Sequence, residues 1–413
     1  EGEPEGRFIF SKYPNMDEYG GRRSNFVHHP NYYGTFYLGE GNGFWKSTDM
    51  GVSYVLLHTF PGRVRYLQIS FKNPEVIYAD VSNYGLYRSD DGGLTWVQKP
   101  SLTNAPYGHS GWRGNLFFAI SPYDENTIYS CLQNGTWSAD IGKVFRSQDG
   151  GNTWEDWSGT VSDYLKCLVI QPTTGSEDLV YLFTKGLNGK PGRVMFRKPG
   201  MQDWENFSIN YPVGMQPNMA LPFFRDGKIR VGGNGSVWES PLAEPQFSPV
   251  INPWVEKPVY ECMTDTLYFD DHSMINHEGA SWQWQITPEP EYISDPNIRN
   301  PKVVLGNPGS YTVHFSVMQN EETYTKTIQD MVSTTTCPSI EDCSNPADIP
   351  KDNWKLLNVD SQEINGEDGK AINAFDGDPS TIWHTEWYWS SPGYPHEISI
   401  DLGEIYRISE FTY

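Results

Sequence analysis

One eight-residue pattern, Ser-x-Asp-x-Gly-x-Thr-Trp, constrains the fold of this chain more than any other feature. A softened copy runs from Ser47 to Tyr54. Two copies are intact, and their residues are Ser89, Asp91, Gly93, Thr95, Trp96 and Ser147, Asp149, Gly151, Thr153, Trp154. In such a turn Asp and Ser side chains bond to backbone amides, Gly supplies a positive φ, and the aromatic folds beneath the turn. The pattern therefore predicts one hairpin repeated along the chain.

A second signature, which consists of a hydrophobe, an aromatic, usually a basic residue and then Ser, directly precedes each of these three copies. Two degenerate versions of it follow further along the chain. Its aromatic recurs five times, at Trp45, Tyr87, Phe145, Phe196 and Trp238. Short apolar strands are expected before each of these positions. Successive aromatics lie 42 to 58 positions apart, and a repeat of this length is typical of one four-stranded propeller blade. We therefore expect an all-β fold with about five blades over residues 1–245.

The repeats resemble the Asp-box (BNR) repeats of sialidases, xyloglucan-cleaving hydrolases and sortilin-type receptors. The resemblance covers residues 1–245 and implies a β-propeller. It says little about function, because the box lies on the outer turn of a blade and away from the axis, so its role is most simply structural. Such propellers usually close with more than five blades, and we expect further blades upstream of Glu1.

Residues 246–262 carry three prolines and are interpreted as a linker. Residues 263–336 alternate as in an antiparallel sandwich, with strands expected at 266–269, 281–284, 302–305 and 311–315. The order of a Trp-x-Trp strand, Asn-Pro-Lys-Val and Gly-Ser-Tyr-Thr-Val resembles a PKD-type immunoglobulin-like module. Such modules are mostly spacers, and this copy lacks their usual Gly-Asp-Gly turn.

The spacing of the cysteines is compatible with one local disulfide in an oxidising compartment and does not indicate a metal site. Residues 337–350 are interpreted as a second linker, where Cys337 and Cys343 lie close enough in sequence for a local disulfide. Cys131, Cys167 and Cys262 have no metal-binding spacing. We expect these three to be small buried residues.

Residues 351–413 resemble the first half of a coagulation-factor 5/8 type C (discoidin-like) module. The motif runs through Asn-Ala-Phe-Asp-Gly-Asp-Pro-Ser-Thr-Ile-Trp and ends in Ile-Ser-Ile-Asp-Leu-Gly. The resemblance implies a jelly-roll that binds carbohydrate, and only about half of that fold is present. It also implies Ca²⁺, held by the side chains of Asp376 and Thr381 with the carbonyls of Asn373 and Asp378. An ordinary Asx turn would explain the same residues equally well.

Aromatic residues near the end of the chain supply candidate sugar contacts. In the discoidin-like family, loop aromatics, His and Arg contact the sugar. The corresponding candidates here are Trp387, Tyr388, Trp389 and Tyr394. Some of these rings must pack in the core instead.

A set of basic and hydrogen-bonding residues precedes the expected inner strands, where propellers gather ligand groups. Its members are Arg23, Arg65, Tyr66, His109, Trp112, Arg113 and Tyr164. Because the guanidinium fork matches carboxylate or sulfate, these residues are candidates for a pocket that binds an acidic glycan. The alternative is that each Arg pairs with an acidic neighbour on the surface.

Net charge and hydropathy exclude two classes of function. The net charge of −22 argues against nucleic-acid binding, and no apolar run is long enough for a transmembrane helix. We expect a secreted or bacterial cell-surface protein, with any attachment to the outer surface made through regions beyond this chain. We expect no cofactor besides Ca²⁺.

Two functions remain open. In one, the chain is a polysaccharide-degrading glycoside hydrolase or lyase with the propeller as its catalytic domain. In the other, it is a non-catalytic glycan-binding adhesin. The combination of modules resembles polysaccharide-degrading proteins of Bacteroidetes-type bacteria, which favours the enzyme. No pair of catalytic carboxylates can be recognised in the sequence. A lyase would need a cation and a base, such as His28, His29, His109 or Tyr164.

Overall fold

The computed structural model describes residues 25–100, 114–134, 142–185, 192–208, 217–233, 236–337, 349–393 and 396–403. These residues are all-β, with short 3₁₀ helices at Phe224–Asp226, Lys351–Asn353 and Ala371–Ala374. None of the described helices has the length and apolar character needed to cross a membrane. The chain divides into two compact units, Glu1–Cys337 and Pro338–Tyr413.

The first part of the chain forms four antiparallel sheets of four strands and one sheet of three, and within each sheet the strands follow chain order. The strands are β1 (Asn25–His28), β2 (Phe36–Glu40), β3 (Gly43–Ser47), β4 (Val55–Thr59); β5 (Val64–Ile69), β6 (Ile77–Val81), β7 (Gly85–Ser89), β8 (Val97–Gln98); β9 (Gly114–Ile120), β10 (Ile128–Asn134), β11 (Lys143–Ser147), β12 (Glu155–Asp156); β13 (Tyr164–Pro172), β14 (Asp178–Lys185), β15 (Val194–Arg197), β16 (Glu205–Asn206); and β17 (Pro217–Phe223), β18 (Lys228–Gly233), β19 (Ser236–Pro241).

The first strand of each sheet lies beside the first strand of the next. Contacts run from β1 to β5, from β5 to β9, from β9 to β13 and from β13 to β17. Each sheet therefore has its first strand innermost and its last strand outermost, which is how propeller blades are arranged around an axis. The predicted all-β fold and its repeated strands are confirmed.

The basic residue of the repeated signature stacks on a tyrosine in the preceding strand. Register pairs the two residues across the second and third strands of a blade, which puts their side chains on one face. The cation lies 5.4–5.7 Å from the ring centroid in three blades, a cation–π geometry. The pairs are Lys46 with Tyr37, Arg88 with Tyr78, and Arg146 with Tyr129.

The Asp-box turn between β7 and β8 forms the predicted hydrogen bonds. The backbone N–H of Gly93 donates to Ser89 Oγ at 2.8 Å, and that hydroxyl donates to Asp91 Oδ1 at 2.8 Å. Asp91 also accepts from the backbone N–H and the hydroxyl of Thr95. The indole of Trp96 closes the turn by donating to the Gly93 carbonyl oxygen at 3.0 Å.

The turn between β11 and β12 repeats this network. Gly151 N–H donates to Ser147 Oγ at 2.9 Å, and Thr153 donates to Asp149 through both its N–H and its hydroxyl. The indole of Trp154 donates to the Gly151 carbonyl at 3.2 Å. Trp96 and Trp154 therefore occupy equivalent outer turns of adjacent blades, as the repeat predicts.

Each box also packs on the blade before it. Gly93 has a φ of +94° and lies against the ring of Phe44 on β3. The ring of Trp96 meets the same Phe44 edge-on at 5.1 Å. Gly151 lies in the same way against Leu86 on β7. The boxes therefore fasten consecutive blades together, which is a structural role.

A two-sheet sandwich follows the blades. Its strands are β20 (Pro253–Trp254), β21 (Val259–Tyr260), β22 (Thr266–Tyr268), β23 (Asp270–Asp271), β24 (Ser281–Thr287), β25 (Tyr292–Ile293), β26 (Lys302–Val304), β27 (Gly309–Gln319) and β28 (Glu322–Thr334). One sheet has the order β21-β28-β27-β24 and the other β22-β26-β25, while β20 pairs with β23. A single core includes Trp284 and Phe315 from the first sheet and Leu267 and Val303 from the second.

The proline-rich segment 246–262 contributes to this core. Val255 and Tyr260 are buried among the sandwich side chains, and β20 and β21 both lie within the segment. The backbone N–H of Val255 donates to the carbonyl of Asn31 at 3.0 Å. These residues therefore join the first blade to the sandwich, although their prolines are typical of a linker.

The disulfide differs from the predicted one. Cys337 is bonded to Cys262, 75 positions earlier in the chain, and not to Cys343, which lies outside the described residues. The expectation that Cys262 is a small buried thiol was therefore wrong. Cys131 and Cys167 carry free thiols, buried and partly buried, as expected. The error arose because β21 and the end of β28 run side by side, which spacing along the chain cannot reveal.

The second unit is described over 349–393 and 396–403. Its strands β29 (Lys355–Val359) and β30 (Ile398–Asp401) pair antiparallel. Ala371 and Phe375, at either end of the third 3₁₀ helix, are its most buried apolar residues among those described. Trp354 packs against the Phe375 ring at 5.8 Å.

Candidate functional site

All blades have the same strand order, so their innermost strands begin at the same end of the propeller. We call this end, where β5 begins at Val64 and β13 at Tyr164, the entry end. Arg65 and Tyr66 lie at the start of β5, and Tyr164 is the first residue of β13. Arg65 Nη2 donates to Ser82 Oγ at 3.0 Å. Four other predicted residues lie outside the described residues, so the predicted convergence of arginines stays a prediction; these are Arg23, His109, Trp112 and Arg113.

Tyr66 packs between the second and third blades. Its ring meets Phe117 and Phe118 edge-on at 5.6 and 5.1 Å, and its hydroxyl accepts from Gln68 Nε2 at 2.9 Å. Burial raises the pKa of Tyr66 to about 12. In Tyr164, by contrast, the ring carries the Lys166 ammonium 5.7 Å from its centroid. Tyr66 thus offers mainly packing, and Tyr164 a cation-bearing aromatic face.

The structure adds Asp80 to the entry end. Asp80 lies on β6, opposite Tyr66, and is 1% exposed. Neither carboxylate oxygen makes a hydrogen bond of normal geometry with the described residues. Burial raises the pKa of Asp80 to about 7, and the Arg65 charge and the Leu116 backbone N–H offset this only in part. The carboxyl group can therefore both donate and accept a proton near neutral pH.

Comparison of the blades shows how unusual this carboxylate is. Asp80 comes two residues after Tyr78, the tyrosine of the cation pair. At the same offset the other four-stranded blades carry apolar or small residues, namely Gly39, Cys131 and Phe183. Because a buried carboxylate costs stability where an apolar side chain costs none, the propeller fold does not require Asp80. A lone acid in an otherwise apolar strand was the signal in the sequence, and the predicted site did not include it.

A second carboxylate, Asp163, immediately precedes β13 at the same end. It is 4% exposed and accepts from Arg193 Nε at 2.8 Å. The hydroxyl of Thr184 also lies within 3.4 Å of the Asp163 carboxylate. Asp163 is therefore held in an ion pair by Arg193, whereas Asp80 feels the charge of Arg65 without a hydrogen bond of normal geometry.

The two histidines considered as lyase bases lie at the other end of the inner strand. His28 ends β1, and His29 follows it. Burial lowers the pKa of His28 to about 4 and that of His29 to about 3, with nearby positive charge adding to the effect. Both are neutral at physiological pH and lie opposite to the entry end.

In the second unit, three consecutive aromatic residues face solvent. Trp387, Tyr388 and Trp389 are 49%, 52% and 75% exposed. Neighbouring rings meet edge-on, at 5.9 Å and 4.9 Å between centroids. Tyr394 lies outside the described residues. Exposed indole and phenol rings of this kind provide stacking faces for a ligand.

Glu363 holds this aromatic segment in place. Its carboxylate accepts four backbone N–H groups at 2.7–2.9 Å, those of Asn365, Gly366, Trp387 and Tyr388. Desolvation favours the protonated acid, but the four hydrogen bonds outweigh it and lower the pKa of Glu363 to about 2. Glu363 belongs to none of the motifs recognised in the sequence, so this anchor was not predicted.

The residues expected to bind calcium form one tight turn. Thr381 Oγ1 donates to Asp376 Oδ2 at 2.8 Å, and the N–H of Asp378 donates to Asp376 Oδ1 at 2.8 Å. The side chain of Asn373 donates to the Asp368 carbonyl. No set of three His, Cys, Asp or Glu side chains in the described ranges could hold a metal ion. The carboxylate, hydroxyl and carbonyl oxygens of this turn nevertheless suit a hard cation.

Comparison with known proteins gives partial matches. No family model matches the chain. It is 54% identical over 59 residues to a sialidase of Micromonospora viridifaciens, which is 14% of this chain and 9% of that protein. It is 31% identical over 131 residues to xyloglucanase Xgh74A of Acetivibrio thermocellus, which is 24% of this chain and 16% of that protein. The matches thus span less than a fifth of either relative.

Among solved structures, the chain is similar to the GH74 xyloglucanase from Xanthomonas campestris. The identity is 12%, the match covers 76% of this chain and 57% of that one, and the TM-score is 0.40.

Proposed function

We propose that this chain belongs to a carbohydrate-active protein of glycoside-hydrolase type that acts on a polysaccharide, with the propeller as its catalytic domain. The observation that carries the proposal is Asp80, a 1% exposed carboxyl group on β6 opposite Tyr66, whose oxygens make no hydrogen bond of normal geometry with the described residues. Burial raises its pKa to about 7, and the charge of Arg65 offsets this only in part. The partial relatives support the substrate class, since one is a sialidase and the other a xyloglucanase.

Glycoside hydrolysis needs a protonated acid that donates to the leaving oxygen and a second carboxylate across the bond. Asp80 suits the first role because its carboxyl group retains a proton near pH 7. Among the described residues, Asp163 at the same end of the propeller is the candidate for the second carboxylate. A lyase would instead use the Arg65 charge to neutralise a uronate and Tyr164 as the base.

The experiment is a screen of neutral and acidic polysaccharides with two readouts, reducing ends for hydrolysis and absorbance at 235 nm for the unsaturated product of a lyase. Asp80→Asn should lower turnover by about 10²–10⁴-fold, the usual contribution of general acid–base catalysis. Asp90→Asn is the matched control, because Asp90 lies on the surface of the same blade in an ion pair with Arg88. Equal activity of Asp80→Asn and Asp90→Asn would overturn the assignment of Asp80.

The adhesin alternative is favoured by the exposed Trp387, Tyr388 and Trp389. A chain that retains binding to insoluble polysaccharide, and releases no product from any member of the screen, would be a binding protein. Loss of that binding in Trp387→Ala and Trp389→Ala would assign it to the second unit.

We further propose that the sandwich is a PKD-type spacer and that the second unit is of the F5/8 type C class, with Ca²⁺ in its Asp376 turn. The short-range motifs support both assignments. The Cys262–Cys337 disulfide supports an extracellular location, because disulfides persist in oxidising compartments. Secretion or display on a bacterial surface would provide that environment.

A further inference from the structure

A cleft of about 470 Å³ lies between the first blade and the sandwich. This volume is within the range of small-molecule sites, about 300–1,000 Å³. His28 at the end of β1 forms part of its wall, so the cleft is at the opposite end of the propeller from Arg65 and Asp80. Its lining includes His28 and Tyr33 from the blade, and Trp254, Tyr268, Asp270, Asn300 and Lys302 from the sandwich.

The two walls of the cleft are joined by backbone hydrogen bonds. Tyr33 N–H donates to the Val255 carbonyl at 2.9 Å, and Gly34 N–H donates to the Glu256 carbonyl at 2.8 Å. Behind them, Asn31 Nδ2 donates to Asn252 Oδ1 at 2.8 Å in a buried contact. The walls are therefore held before any ligand arrives, which lowers the entropy cost of binding.

One side of the cleft is aromatic. The Trp254 indole stacks on His272 with centroids 4.4 Å apart and meets His28 and Tyr33 edge-on at 5.1 and 5.3 Å. Burial lowers the pKa of His28 to about 4, so this surface carries no charge at neutral pH. Tyr268 is 51% exposed and adds a ring accessible to solvent.

The remaining lining residues are polar. The Asp270 carboxylate is oriented by Arg299 Nε at 2.9 Å and by the Asp271 N–H at 2.8 Å. The Lys302 ammonium lies 5.6 Å from the Tyr268 ring centroid, and Asn300 is exposed beside it. Carboxylate, amide and ammonium groups beside aromatic rings match a ligand that has one apolar face and a rim of hydroxyls.

We propose that this cleft binds a short saccharide, with a sugar ring stacked on the aromatic side and its hydroxyls bonded to Asp270, Asn300 and Lys302. The site is separate from the entry end, so it would hold a glycan without cleaving it. The proposal rests on the proposed function only for the class of ligand.

The test uses the full chain carrying Asp80→Asn, Trp387→Ala and Trp389→Ala, so that turnover and the second unit do not contribute. The probes are an array of oligosaccharides from xyloglucan, cellulose, arabinan and hyaluronan, followed by calorimetric titration of the tightest binder. Tyr268→Ala should raise its Kd about tenfold, as expected for loss of one aromatic contact. Tyr268→Phe should keep the affinity.

Tyr292→Ala is the matched control, because Tyr292 is also 51% exposed and belongs to the same sheet but does not line the cleft. It should bind as the parent does. No binding on the array, or equal affinities for Tyr268→Ala and Tyr292→Ala, would overturn the cleft assignment. Failure of the proposed function is seen separately, as absence of product release by the unmodified chain.

Discussion

Gly93 of the second blade lies so close to Phe44 of the first that a Cβ atom on Gly93 would be 2.1 Å from a ring carbon. Its φ of +94° is also one that a side chain disfavours. We expect Gly93→Ala to lower the free energy of unfolding by about 2–5 kcal/mol, combining backbone strain with overpacking. Urea unfolding of the full chain measures the loss.

Gly41→Ala is the control for the strain alone. Gly41 has a φ of +56°, and a Cβ atom added to it would meet no described residue within 4 Å beyond its chain neighbours. Its cost should be about 1–2 kcal/mol. Similar losses for the two variants would mean that the contact with Phe44 does not hold the blades together.

The disulfide predicts different outcomes for two cysteine substitutions. Cys337→Ser removes a bond that closes a loop of 75 positions, which should cost about 4 kcal/mol through the entropy of the unfolded chain. Cys343→Ser should leave the melting temperature unchanged, as should a reducing agent added to Cys337→Ser. A drop in melting temperature for Cys343→Ser as large as for Cys337→Ser would contradict the pairing.

Asp80 predicts an unusual pH dependence of stability. Its pKa is about 7 in the folded protein, against 3.8 for an aspartate exposed to water. Between these values the unfolded carboxyl group loses its proton first, so stability falls as pH rises from about 4 to about 7 and is level above that. At 1.36 kcal/mol per pKa unit the fall is roughly 4 kcal/mol. Asp80→Asn should remove this slope and melt higher than the parent at pH 8, while losing activity.

Glu363 predicts the opposite dependence in the second unit. Its pKa is lowered from 4.5 to about 2, so its contribution is complete above pH 4.5 and is lost as pH falls towards 2. Tryptophan fluorescence should report release of the segment with Trp387 over that interval. In Glu363→Gln the segment should be loose already at pH 7 and glycan binding weaker, whereas Asp368→Asn should resemble the parent. An acid titration identical in parent and Glu363→Gln would count against the anchor.

Calcium in the Asp376 turn predicts that a chelator lowers the melting temperature of the full chain. Asp376→Asn should abolish this sensitivity, because it weakens the carboxylate ligand. Asp352→Asn, a change at an acidic residue of the first 3₁₀ helix of this unit, should retain it. Melting curves that respond to neither calcium nor chelator would argue against a bound metal.

Short-range chemistry explains which parts of the fold the sequence could predict. The side-chain hydrogen bonds of the Ser89–Trp96 box connect residues only two to four positions apart, so their spacing alone predicts the turn. The pairing of Tyr78 with Arg88 likewise follows from a hairpin register. The five blade repeats could therefore be recognised without any knowledge of packing between blades.

The missed features depend on distant contacts. Cys262 meets Cys337 only because β21 pairs with the end of β28, and Val255 is buried only because the sandwich closes over it. Asp80 was predictable only in part. The sequence predicts its strand, but it does not indicate that Asp80 is buried near the Arg65 charge and the Leu116 backbone N–H. Two of the four backbone donors to Glu363, those of Trp387 and Tyr388, lie 24 and 25 positions later in the chain, and no periodicity in the sequence indicates them.

The position of the disulfide also has a mechanical consequence. Cys262 and Cys337 lie near the two ends of the sandwich, so tension applied along the chain between the propeller and the second unit passes through the covalent bond. The strands between the two cysteines carry none of that load and cannot be pulled out one by one. The distance between Cys262 and Cys337 would therefore stay constant when the chain is pulled.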